Sequence, residues 1–397
     1  MHAWLAWFVL STLSSFPAVS TGQERTVAPA PTSRSQPEQR ITGDAGTIVS
    51  GSGLSGGVGY RDEQLFGSAI GAEVSAMWSV RGYQLYRARV GLLGDRRHTL
   101  ETRNADSGFA SKFNDTAVKR PGAALYADVR YRSFARHAYY GIGAASQKAD
   151  ISAYKLRGAG YDLVAQWQSS ASFGLSARAG ILESHVLPRR GDSERPSVDE
   201  RFDPASVPGF LDPPRYAVLA VGAALDRRDS PRDPTRGVFV GGTLWRYESG
   251  GARYDFTRTT LDARVFVEPA VVPGVLALRL LASADHLRRG ADVPFFLMQT
   301  LGGGETLRAH RTHRWRDRAL AHATVEYRWH PHRLVEIAPF VDVAALGPTL
   351  DAVAMSKRLY GYGVAVRGHW RGRVLGRLEW ANGPEGQRII LSTGPIF

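Results

Sequence analysis

The sequence predicts an all-β protein, a transmembrane antiparallel β-barrel of about sixteen strands. Three observations carry that reading. From residue 47 to the C-terminus the chain repeats segments of about ten to fourteen residues in which apolar and polar side chains alternate. Beyond the N-terminus no run of ~18 uncharged apolar residues occurs, so no helix is expected to span a membrane. The connections between segments alternate between long and short, as in barrels whose long loops face the outside and whose short turns face the periplasm.

Residues 1–20, MHAWLAWFVLSTLSSFPAVS, read as a secretory signal peptide. An apolar core over residues 3–13 precedes the helix-breaking Pro17 and the small-residue site Ala18-Val19-Ser20, and His2 is the only basic group ahead of it. Residues 21–45 are rich in Pro, Ser, Thr and Gln and lack apolar periodicity, the composition of a disordered periplasmic linker. Residues 46–397 are then the barrel.

Composition fits this division. The chain is 397 residues long and 43% hydrophobic, with a mean hydropathy of −0.23. Strands that share their side chains between lipid and lumen keep such an average low. There is no cysteine, which suits an exported, disulfide-free chain and excludes thiolate zinc sites, iron–sulfur clusters and cysteine nucleophiles. The net charge of +13 comes almost entirely from arginine scattered over loops and alternating strand positions. No basic helix or zinc-finger spacing organises it, so no nucleic-acid partner is expected. A positive lumen, with loops close to outer-membrane lipid and lipopolysaccharide headgroups, accounts for it.

The strand segments show two faces. In 123–131, Ala123, Leu125, Ala127, Val129 and Tyr131 oppose Tyr126, Asp128 and Arg130. In 173–181, Phe173, Leu175, Ala177, Ala179 and Ile181 oppose Ser176 and Arg178. In 259–267, Leu261, Ala263, Val265 and Val267 oppose Asp262 and Arg264. In 276–284, Leu276, Leu278, Leu280, Ala282 and Ala284 oppose Arg279 and Ser283. In 319–329, Ala319, Ala321, Ala323, Val325, Tyr327 and Trp329 oppose His322, Thr324, Glu326 and Arg328. This unit length matches a tilted membrane strand of ~9–11 residues better than the ~5–6 of a soluble sandwich.

Candidate strands begin near Thr47, Phe66, Tyr83, Gly122, Tyr139, Ala153, Ala171, Tyr216, Gly237, Arg253, Val275, Ala319, Arg333, Tyr360, Arg373 and Gln387. With both termini inside, odd-numbered connections are external and even-numbered ones periplasmic. The external set then includes 95–120, 184–215, 287–318 and 346–359. The periplasmic set includes 79–82, 133–138, 169–170, 330–332 and 370–372. The last strand closes on Phe397, the terminal aromatic common in bacterial outer-membrane proteins, with Ile389 and Leu391 on the same face; Pro395 withholds a backbone donor there.

No catalytic chemistry stands out, and neither a cofactor nor a metal is expected. Gly51-Ser52-Gly53-Leu54-Ser55-Gly56 spells GxGxxG, but an alternating strand follows it instead of the helix a dinucleotide fold requires. Gly302-Gly303-Gly304 lacks the Lys-Ser/Thr of a phosphate loop. His310, His313, His322, His330 and His332 are scattered by alternation over an external loop, the lumen and a periplasmic turn, so a shared metal is not expected. No local Ser/His pair supports an outer-membrane lipase or deacylase.

Two motifs narrow the class. Residues 225–237, LDRRDSPRDPTRG, form a turn motif built on Asp226, Arg228, Asp229, Pro234, Arg236 and Gly237. Further on, PFFLMQTLGGGETLRAH is followed by RWRD, ATVEYRW and APFVDVAALG. Together they resemble the barrel of the BamA/TamA outer-membrane family, also called the bacterial surface antigen superfamily. The resemblance covers residues 225–397 by motif and the earlier half by strand pattern. It implies a sixteen-stranded barrel whose long external loop 6 folds back into the lumen. It also implies a loop tip carrying an arginine held by lumen carboxylates. The matching residues are Arg308 for the arginine, Glu326 in VEYR and Asp342 in FVDV for the carboxylates, and Gly302, Gly303, Gly304, Leu307, Ala309 and His310 for the tip.

Alternation independently places Glu326, Asp342 and Glu336 on the polar faces of neighbouring strands. The family's glycine and aromatic after the arginine are replaced by Ala309 and His310, and Ala309 would be strained if the tip needs a positive φ. Family members that assemble or export proteins carry periplasmic polypeptide-transport domains of roughly 75 residues each, and 21–45 has no room for one. A short, barrel-only member is therefore expected, with any periplasmic accessory supplied by a separate protein. The resemblance implies insertion or transport of a client polypeptide or lipid through a lateral seam between residues 47–60 and 387–397, steadied by Arg308. The alternative is a passive channel or structural barrel.

Overall fold

Along the strands many charged side chains are buried and many large aliphatic ones are exposed, the reverse of a soluble protein. The computed structural model describes residues 40–49, 51–93, 122–170, 172–189, 195–230, 233–370 and 373–392. The signal peptide at 1–20, most of the linker at 21–45, the whole of the 95–120 connection and the terminal Phe397 lie outside the described residues.

The strands are β1 (Arg40–Gly46), β2 (Ser55–Asp62), β3 (Gly71–Ser79), β4 (Gln84–Leu92), β5 (Gly122–Tyr139) and β6 (Ser152–Gln168). Next come β7 (Phe173–Pro188), β8 (Tyr216–Asp226), β9 (Gly237–Glu248), β10 (Phe256–Val267) and β11 (Val275–Leu287). A long loop carries the short β12 (Gln299–Leu301) and β13 (Trp315–Asp317), which pair with each other. The last five are β14 (Ala319–His332), β15 (Val335–Gly347), β16 (Leu359–Trp370), β17 (Arg373–Gly383) and β18 (Gly386–Ser392). Apart from β12 and β13, all join one 16-stranded sheet in chain order, and every pairing is antiparallel. This is a transmembrane β-barrel, with β1 and β18 the outermost strands of the order.

Period-two alternation divides the faces. Leu163, Leu219, Val221, Leu261 and Leu280 are each at least half exposed, while Arg132, Arg258, Arg279, Arg328 and Arg367 are almost fully buried. Water would penalise that outer face at about 25 cal/mol per Å² of apolar surface, and lipid removes the penalty. The inner charges pair along and across strands. Arg279 on β11 and Arg264 on β10 both bond Asp262, at 2.9 and 2.8 Å. Asp128 on β5 takes Arg87 from β4 at 2.7 and 2.8 Å.

Three expectations are corrected. The chain enters the sheet at Arg40 rather than at 46, and residues 47–54 form the turn between β1 and β2. The stretch expected as a first strand from Thr47 is thus a turn plus β2, because its glycine and serine residues favour a turn over an extended run. The 133–138 stretch is not a turn. It lies within the 18-residue β5, where the register with β6 shifts between Phe134 and His137. That bulge adds a residue and breaks the alternation. The two errors cancel in the strand total but not in parity. With β1 at 40–46, the connection flanked by β4 and β5 becomes the fourth, so it joins the end of the even-numbered turns, and 79–82 joins the end of the long loops.

At the long-loop end, the segment between β11 and β14, the sixth external loop, turns back into the barrel. Phe295, Phe296 and Leu297 from it pack with Tyr139, Tyr154, Tyr216, Tyr247 and Phe256 of the wall and Val207 and Phe210 of the 189–215 connection. Phe295 N donates to Pro208 O at 2.8 Å, joining the two loops.

Candidate functional site

The tip of loop 6 is built by its own backbone. Gly302 N donates to Thr306 Oγ1 at 3.0 Å. Gly303 N donates to His310 O and His310 N to Leu307 O, both at 3.0 Å, closing a turn over Leu307–His310. Gly302 and Gly303 have φ of 109° and 95°, and a Cβ on Gly302 would run into the Arg311 carbonyl. Only glycine meets both conditions cheaply. Leu307 anchors the turn among Leu301, Trp315, Leu320, Leu346 and Leu359.

That turn aims Arg308 at the wall. Its Nε and Nη2 donate to the two oxygens of Asp342 at 2.8 and 2.7 Å, and its own N–H to Asp342 Oδ2 at 3.1 Å. Nη1 donates to Glu326 Oε2 at 3.1 Å and to Glu379 Oε1 at 3.2 Å. The guanidinium lies 3.2 Å from the centre of the Phe340 ring. Arg308, Glu326, Asp342 and Glu379 are all buried. The planar fork matches Asp342 with two parallel bonds, which lysine cannot do. Glu326, Asp342 and Glu379 come from β14, β15 and β17, so the guanidinium bridges three strands.

The charges balance locally. Glu326 also takes Arg328 at 2.8 Å and Arg367 at 2.6 Å, Glu379 takes Arg377 at 3.0 Å, and Glu336 takes Arg367 at 2.5 Å. Arg308, Arg328, Arg367 and Arg377 thereby offset Glu326, Glu336, Glu379 and Asp342. Leaving one buried member unpaired would cost about 3–5 kcal/mol.

The substitutions at the tip are accommodated by the wall. Ala309 is not among the residues with positive φ, so the strain expected there is absent. Its methyl sits against Gly361 on β16 and Gly383 at the end of β17, where a Cβ would stand 2.6 and 2.9 Å away. His310 Nε2 donates to Tyr360 O at 3.0 Å, its Nδ1 lies 3.4 Å from Glu385 Oε2, and the ring packs edge-on against Trp315. Glu385 lies in the β17–β18 turn and also takes Arg314 Nε at 2.6 Å. Burial raises its carboxyl, but His310 and Arg314 outweigh that and hold it below its ordinary value. Gly304 completes the tip, its carbonyl accepting from Arg377 at 3.4 Å.

The turn motif lies at the other end of the barrel, away from Arg308. Asp226 takes Arg228 through Nε at 2.9 Å and Nη2 at 2.8 Å. Asp229 accepts from Ser230 N, Thr235 N and Thr235 Oγ1 at 2.8, 3.0 and 2.8 Å. Burial raises the Asp229 carboxyl, and these donors pull it below its ordinary value. Gly237 has φ 108°, and a Cβ there would meet the Arg227 carbonyl. Arg236 pairs with Glu268, and Pro234 O accepts from Arg328 at 3.5 Å. The turn thus reaches the charge network from below.

Sequence reasoning missed Glu379, Glu385, Phe340 and His369. Glu379 was detectable: in Leu375-Gly376-Arg377-Leu378-Glu379-Trp380, Arg377 and Glu379 share the polar face. Glu385 sits on a turn, where no alternation points.

Comparison with protein families matches residues 88–371 to the model described as the Omp85 superfamily domain. Comparison with curated sequences finds no match. Among solved structures, the chain resembles BamA from Haemophilus ducreyi lacking POTRA domains 1–3, at 14% identity and TM-score 0.63, covering 90% of this chain and 69% of that one. It also resembles CdiB from Acinetobacter baumannii, at 11% identity and TM-score 0.51, covering 89% and 58%. CdiB from Escherichia coli matches at 12% identity and TM-score 0.53, covering 90% and 62%. At such identities the likeness is one of fold, and the chain spans under two thirds of either CdiB.

Proposed function

The chain belongs to the Omp85 superfamily, and on that premise we propose that this bacterial outer-membrane barrel inserts or translocates a client polypeptide or lipid. The observation that carries the proposal is the Arg308 contact set, which holds loop 6 against β14, β15 and β17. The route is a lateral seam between β1 and β18, with the export of the chain itself directed by residues 1–20. Loop 6 braces the side of the barrel next to that seam, since His310 and Arg314 hold the β17–β18 turn through Glu385. A passive channel has no need of a loop fixed to the wall in this way. An accessory periplasmic protein would present the client, and lipopolysaccharide would border the outer rim.

The test is reconstitution of the barrel in lipid vesicles, timing the folding of an unfolded outer-membrane client. Faster folding than in empty vesicles is the expected result. Equal rates, with steady ion conductance through the barrel, would replace the proposal with a passive channel.

A further inference from the structure

We propose that the barrel carries a binding site for a divalent transition metal at its short-turn end, formed by His330, Glu336 and His369 with Asp233 behind them. This inference is independent of the insertion proposal. His330 ends the inward face of β14, Glu336 begins that of β15, and His369 closes that of β16. The register of β14 on β15 shifts between Trp329 and His332, and that of β16 on β17 shifts between Gly368 and His369. Each shift lies beside a histidine of the set, and bulges re-aim side chains.

The three side chains converge on one atom. His330 Nε2 lies 3.0 Å and His369 Nε2 3.2 Å from Glu336 Oε2, and all the ligand atoms lie within 4.8 Å of one another. Metal bonds of about 2.0–2.2 Å put neighbouring ligands of a tetrahedron about 3.3–3.6 Å apart. Small shifts would therefore seat a cation. Glu336 is fully buried, and neither its Oε2 nor His369 Nε2 finds an aligned hydrogen bond among the described residues. The other carboxylate oxygen, Oε1, is taken by Arg367 at 2.5 Å, whose charge is shared with Glu326 at 2.6 Å. Oε2 is thus left for the cation.

The surroundings supply what a metal ligand set requires. Asp233 Oδ2 lies 3.4 Å from His369 Nδ1, placed to fix the tautomer that presents Nε2. His330 is exposed, leaving an entry path and room for water as a fourth ligand. Two imidazoles and a carboxylate select zinc, copper, nickel or cobalt over magnesium or calcium. A bound ion would join β14, β15 and β16 to the 227–236 turn.

The test titrates the purified, folded full chain, carrying no polyhistidine tag, with Co²⁺ and then Zn²⁺, following visible absorption. One saturable site is expected, with the bands of four-coordinate cobalt, displaced by Zn²⁺ but not by Mg²⁺ or Ca²⁺. His330→Gln and His369→Gln each weaken binding at least tenfold, Asp233→Asn weakens it about 10–100-fold, and His185→Gln, on β7 and outside the ligand group, changes nothing. His330 is exposed, so its variant reports even if His369→Gln does not fold. No saturable binding, or binding that survives His330→Gln, overturns the proposal.

Discussion

The methyl of Ala309 occupies the space left by the missing side chain of Gly361: a Cβ built there would lie 2.6 Å from it. The loop tip and the wall have therefore exchanged bulk. Gly361→Ala should overpack this contact and cost about 1–3 kcal/mol. Adding Ala309→Gly should restore most of the loss. Thermal unfolding of the two single variants and the double variant measures the coupling.

Arg308→Ala leaves Asp342 buried without the paired guanidinium and takes one partner each from Glu326 and Glu379, which keep Arg328, Arg367 and Arg377, a loss of about 3–5 kcal/mol. Arg308→Lys should recover little, because an ammonium cannot make the paired bonds to Asp342. Protease cleavage within loop 6, slow in wild type, is expected to be fast in both variants.

Glu385 links loop 6 to the last hairpin and gives that link a pH dependence. Its carboxyl, ordinarily titrating near 4.5, is held lower in the folded barrel by His310 and Arg314 against the opposing effect of burial. A depressed carboxyl contributes stability that is fully present above its unfolded value and is lost as pH falls through the folded one. Spin labels on the loop should therefore gain mobility below about pH 4.5. In Glu385→Gln they should be mobile at neutral pH as well.

The outer face is equally testable. Leu280 lies mid-strand on β11 and is 60% exposed. In a soluble protein Leu280→Arg would change stability by no more than ~0.5 kcal/mol. In a bilayer it should cost about 2–4 kcal/mol, read from urea unfolding in vesicles.

Much of this was legible in the sequence because alternation is local. It placed Glu326 and Asp342 on the lumen face of β14 and β15, where Arg308 meets them. Features that break alternation misled it. The glycine-rich turn at 47–54 passed for strand, and the bulge at Phe134–His137 passed for a turn. Pairing between distant strands left no local trace either. His369 lies far along the chain from His330, and only the order β14–β15–β16 brings both to Glu336.

The most direct test of the insertion account is a seam lock. The chain has no cysteine, so a pair introduced in β1 and β18 is free of competing thiols. Wild-type barrels in vesicles should speed client folding, oxidised seam variants should match empty vesicles, and reduction should restore the rate. Undiminished acceleration with the disulfide formed would show that clients do not pass the β1–β18 edge.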